Sequence, residues 1–109
     1  MNNSITLESL PISAALIGDN VVIPKGSDSS QKILVVSMTF LCAAAVSVKF
    51  KHAAVDYSGA MAFAANTGLT LIPVADEALF VVPPGEDFIF TLGAALAVAG
   101  VIWFKRIPK

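Results

Sequence analysis

The chain has 109 residues, 56% of them hydrophobic and only 14% charged, with a net charge of −1. That length makes one domain burying roughly two-thirds of its unfolded surface. Its apolar content excludes disorder for most of the chain, its charge balance offers no basic patch for nucleic acid, and its one cysteine, Cys42, excludes an internal disulfide.

The first fifteen residues, MNNSITLESLPISAA, are polar and irregular, with Pro11 among them. They read as an extended N-terminal arm over 1–15, with a short strand at 5–7, ahead of a β-sandwich domain over 16–109. They show neither the basic start nor the apolar stretch of a signal peptide, so folding in a cytoplasm is the expectation. Asp19-Asn20 punctuates the chain, Val21 to Ile23 is β-branched, and 24–31 is a loop of Pro, Gly, Ser and Asp. Residues 33–40 form a strand, with Leu34, Val36, Met38 and Phe40 expected on one face and Ser37 and Thr39 on the other.

In AVSVKFKH, Val46, Val48 and Phe50 alternate with Ser47, Lys49 and Lys51. A helix would scatter those lysines around its circumference, whereas a strand puts them on one face. Lys49, Lys51 and His52 read as an exposed strand surface, with the lysines discouraging edge pairing. Pro84-Gly85 suits the centre of a type II turn, Pro presetting one φ and Gly taking the positive one. In EDFIFTL, Phe88, Phe90 and Leu92 point one way. In the closing run Leu96, Val98, Gly100, Ile102 and Phe104 form one row, and Ala97, Ala99, Val101, Trp103 and Lys105 the other. Both rows are apolar, so this strand is expected to be covered on both sides, by its own core and by a neighbour.

A surface this poor in charge lies in lipid or against other protein. The charge-free runs 33–48 and 88–104 are 16 and 17 residues long, at or below the short end of the range of about 17–25 for a helical span. Gly93 and Gly100 would each cost a helix interior about 1 kcal/mol relative to Ala. Strand alternation lies beside and inside these runs. The expected fold is therefore all-β, an antiparallel β-sandwich of jelly-roll-like form; a small holin-like membrane protein using those runs as spans is the alternative.

No residue set announces chemistry. His52 is the only histidine, and a trio with Ser58 and Asp56 is no more than chance supplies in a chain of this length. Cys42 reads as a small buried hydrophobe. Asp76-Glu77 and Glu86-Asp87 read as solvated turn pairs or as partners for basic groups on another subunit. Lys105, Arg106 and Lys109 read as a solubilising basic end. No cluster suits a metal and no glycine-rich loop suits a phosphate. The expectation is a non-enzyme without catalytic, cofactor or metal sites. Trp103 and Phe104 are the candidate interface residues, since an outer-row tryptophan has to be covered and aromatics are enriched at hot spots; Trp103 packed within its own subunit is the competing reading. Ile5, Leu7 and Leu10 of the arm complete the candidate set.

The frame KILVVSMTFLCAAAVSVKFK, then SGAMAFAANTGL, then PPGEDFIFTLGAALAVAG resembles small β-sandwich structural proteins of tailed-bacteriophage virions. The likeness spans about residues 17 to 104. It departs at Ala78-Leu79-Phe80, where members often carry Gly-Trp-Phe, and at Ile102-Trp103-Phe104, where they often carry a tyrosine-containing strand. What it implies is a head decoration (cement) protein on the capsid surface, commonly a trimer, contacting the major capsid protein and itself and binding neither nucleic acid nor membrane. A tail, neck or baseplate component is the alternative within that class.

Overall fold

The computed structural model describes residues 7–25, 31–53, 55–73 and 78–108. Ten strands follow in chain order among them: β1 (Glu8–Ala14), β2 (Gly18–Ile23), β3 (Gln31–Cys42), β4 (Val46–His52), β5 (Val55–Asp56), β6 (Met61–Phe63), β7 (Gly68–Leu71), β8 (Phe80–Val82), β9 (Phe88–Leu92) and β10 (Val98–Pro108). They build two antiparallel five-stranded sheets. The first runs β1-β10-β3, with β7 and β8 both pairing the far side of β3; the second runs β2-β9-β4, with β5 and β6 both pairing the far side of β4. The chain is all-β, and the two sheets pack as a sandwich. The runs weighed above as membrane spans are strands here, and no helix among the described residues is long and apolar enough to cross a membrane.

Period-two alternation builds the core. β4 alternates buried and half-buried from Val46 to His52, and β9 does the same from Phe88 to Leu92. β10 turns Val98, Ile102 and Phe104 inward, all at 1% exposure or less. Six of the seven phenylalanines form one aromatic network between the sheets: Phe40 meets Phe50, Phe63 and Phe90 edge-on, and Phe50, Phe80, Phe88 and Phe90 pack with centroids 4.9 to 6.3 Å apart.

The expected faces of β3 are correct for only half its length. Met38 and Phe40 point inward, but Ile33 and Val35 do so as well, while Leu34 and Val36 lie outward and half-buried. Trp103 pairs with Ser37 and Phe104 with Val35, so Val36 is an extra residue in the ladder. Such a bulge reverses the phase of everything beyond it.

Much of the arm is a strand. Residues 8–14 pair with β10 from Glu8↔Phe104 to Ala14↔Val98, and Ile12 and Ala14 are buried. The basic end is likewise not a tail: Ile107 and Pro108 pair with Lys32 and Gln31. Arg106 Nη2 donates to the Pro24 carbonyl at 3.0 Å, and its guanidinium lies 5.2 Å from the Phe104 ring centre. Lys109 lies outside the described residues.

The turn before β9 has the expected form. Glu86 N–H donates to the Pro83 carbonyl at 3.3 Å, and Gly85 takes a φ of 81°, the positive value that a type II turn requires at its third residue. Gly100 has a different reason. A Cβ there would stand 1.9 Å from the Thr39 carbonyl oxygen and 2.6 Å from the Phe40 Cα, so β10 approaches β3 more closely than any side chain permits.

Candidate interaction face

The outward surfaces of the two sheets are opposite in character. On the second sheet, β4 presents Lys49 and Lys51 between β5 and β9. Lys51 Nζ lies 2.9 Å from Asp19 Oδ2, and Lys49 Nζ lies 3.4 Å from Asp56 Oδ2. Thr91 Oγ1 donates to Asp19 Oδ1 at 2.8 Å. The Lys51 and Thr91 hydrogen bonds hold the Asp19 carboxyl below its ordinary value of 3.8. Exposed pairs of this kind contribute little stability; they mark a face built for water.

The first sheet presents another surface. Register places Ser9, Trp103 and Ser37 in one outward row, Pro11, Val101, Thr39 and Thr70 in the next, and Ser13, Ala99, Leu41 and Gly68 in a third. None of these residues is charged. Thr39 and Thr70 satisfy one another through their hydroxyls at 2.8 Å, and Leu41 stands 61% exposed. Beyond the bulge, Lys105, Leu34 and Val81 continue the face, with Val81 46% exposed. Lysine therefore enters only at the end remote from Leu41, and no carboxylate occurs in these rows.

Trp103 lies in the middle strand of this face, outward and half-buried. Phe104 does not share the surface: as the next residue of the same strand it points the other way and is 1% exposed, so the expectation for Phe104 is corrected by strand parity. Leu10 turns toward the core and packs against it, and Leu7 is 51% exposed. Ile5 lies outside the described residues. Among the described residues of the candidate set, Trp103 alone stands on the uncharged face.

The titratable residues are held separately. His52 continues the inward row of Val46, Val48 and Phe50 and is 8% exposed, which corrects its placement on the lysine face. Its Nδ1 bonds Glu86 Oε1, its ring lies 5.2 Å from that of Tyr57, and the Tyr57 hydroxyl donates to the Val81 carbonyl. Burial, followed by the nearby Glu86 charge, pushes Tyr57 up to about 12. Ser58 Oγ accepts from the Phe50 N–H at 3.1 Å, and Asp56 pairs with Lys49 on the outside, so Ser58, His52 and Asp56 are not brought together. Glu86 and Asp87 are engaged within the subunit rather than simply solvated, since Asp87 Oδ1 accepts the Lys25 N–H at 2.6 Å. Asp76-Glu77 lies outside the described residues. Cys42 is buried as expected, and desolvation raises its thiol above the ordinary value.

Sequence reading missed the Glu86 partner of His52. The signal was present, because His52 falls in phase with three apolar residues; its polarity outweighed its position. No family model, curated protein or solved structure matches the chain.

Proposed function

We propose that this protein is a structural subunit that works by protein–protein contact, placed as a decoration protein on the head of a tailed phage. The observation that carries the contact reading is the contrast between the two outer faces. A sandwich that only needed solubility would carry charge on both; here the β4 side is ion-paired and the β10 side carries no charge in the rows from Trp103 to Leu41. Depletion of charge beside an outward aromatic is the compositional mark of an interface core. The phage assignment is supported by the sequence resemblance, and a long-lived assembly suits a mechanism of buried area and fixed geometry.

Cosedimentation with assembled heads tests this reading. The chain is expected to bind saturably. Trp103→Glu, which would bury an unpaired carboxylate in the contact, should weaken binding at least about tenfold, while Lys49→Glu should not. Loss with the Lys49 variant, or no binding by the native chain, would refute it.

A further inference from the structure

The two ends of the sandwich differ as sharply as its faces. β1, β3, β6 and β9 finish, and β2, β4, β7 and β10 begin, at one common end, as their registers require. The connections gathered there are residues 15–17, 43–45, 64–67 and 93–97. They consist of Ala, Gly, Leu, Ile, Asn and Thr, without one charged residue. The other end gathers Glu8, Lys25, Glu86, Asp87 and Arg106.

The uncharged end carries both a projection and a recess. Leu16 and Ile17, at the β1–β2 corner, are 68% and 67% exposed. Asn20 fixes that corner: its side-chain oxygen accepts from the N–H groups of Ala15 and Leu16 at 3.3 and 3.2 Å, and its amide donates to the Leu16 carbonyl at 2.8 Å. Two large aliphatic side chains are thus held outward on a braced turn. Across the same end lies a groove of about 240 Å³ lined by Leu41, Cys42, Ala43, Asn66, Ala97 and Ala99. An apolar cavity of about 150 Å³ takes a benzene-sized group, so this one has room for a Leu or Ile side chain. It lies below the roughly 300–1,000 Å³ of small-molecule pockets.

We infer that this end is a self-association site, in which Leu16 and Ile17 of one copy enter the groove of a second copy and receive that copy's pair in return. Projection and recess on one surface satisfy the rule of a two-fold interface, that each patch be its own complement. An uncharged end sets no like charges against each other. A bilayer is the poorer occupant, because no Lys or Arg stands in these connections to meet anionic headgroups. The twelve residues of β3 span about 40 Å, so the strands run along the 48 Å axis of the molecule and the ends measure 26 by 20 Å. Two such ends in contact cover about 1,000 Å² in all, near the lower bound of a specific interface and within the size range of weak or transient association. Association at this end does not depend on where the protein works and would stand if the phage reading failed.

Sedimentation equilibrium of the full chain, over about a thousandfold range centred on micromolar concentrations, decides it. The native chain should pass from monomer to dimer. Leu16→Glu and Ala97→Lys, both at exposed positions, should each weaken the dimer about tenfold or more, with unchanged circular dichroism. Mixed together, the two variants should regain dimer, because one contact becomes a Glu–Lys pair and the other is native. A native chain that stays monomeric, a trimer, or a mixture that fails to regain dimer would overturn the inference. So would a dimer lost with Trp103→Glu but not with Leu16→Glu, which would belong to the sheet face. A monomer that floats with phosphatidylcholine vesicles would assign the end to lipid instead.

Discussion

Tyr57 is the only tyrosine in the chain, so its ionisation can be followed by absorbance without interference. The folded state keeps the phenol protonated up to about 12, against an ordinary value of 10.0. Between those limits the unfolded chain has lost a proton that the folded chain retains, so stability is complete below about pH 10 and falls as the pH rises toward 12. The phenolate band should appear with a midpoint near 12, and Tyr57→Phe should lose less stability across that window than the parent. Asp19 has the opposite sign. Its folded value lies below 3.8, so the stability it contributes is present above that pH and is lost as the pH falls through the lower folded value. Asp19→Asn should flatten the acid limb of a thermal-midpoint curve; the change is small, because the side chain is 49% exposed. Gly100→Ala brings a methyl against the Thr39 carbonyl and the Phe40 backbone, and chemical denaturation should show a loss of about 1–3 kcal/mol or more.

At the scale of elements, the strands stand on alternation and on the aromatic network between the sheets. Phe90→Ala removes a fully buried ring packed on Phe40, Phe50 and Phe88, and urea unfolding should record a loss of about 3–5 kcal/mol. Deleting Val36 would remove the bulge yet leave Ile33, Val35 and Met38 on the inner face with their present partners, so the deleted chain should keep a cooperative thermal transition, whereas deleting Ser37 together with Val36 would turn Ile33 and Val35 outward and abolish it. The two cases show what sequence carries. β4, β9 and β10 were legible because their apolar residues keep a period of two without interruption, and the turn at 83–86 because Pro and Gly have fixed backbone preferences. β3 was mis-phased because no residue type announces a bulge: Val36 is as good a strand residue in the ladder as out of it. β1 was hidden because its outward positions, Ser9, Pro11 and Ser13, give it the composition of a loop. Trp103 was legible as outward from the two apolar rows of β10, and the same parity that exposes it withdraws Phe104.

The whole molecule is polarised twice. Across its thickness a charged, ion-paired sheet backs an uncharged one. Along its length an end built of Ala, Leu and Ile opposes an end that holds the His52–Glu86 pair and Arg106. The uncharged regions meet at Leu41 and Ala99, which belong to the sheet face and line the groove at the end. A low share of charge in the composition thus becomes a continuous surface, while the charges that remain are gathered where they solvate the rest. Neither polarity was visible from local sequence alone, because each arises from connections that lie far apart in the chain.

Hydroxyl-radical footprinting of the chain, alone and mixed with assembled heads, would show which outer face makes the contact. Binding through the uncharged face should protect Trp103, Val101 and Leu41, with Lys49, Lys51 and Ile89 reacting as in the free chain. Protection confined to the lysine face, or none at all, would contradict it.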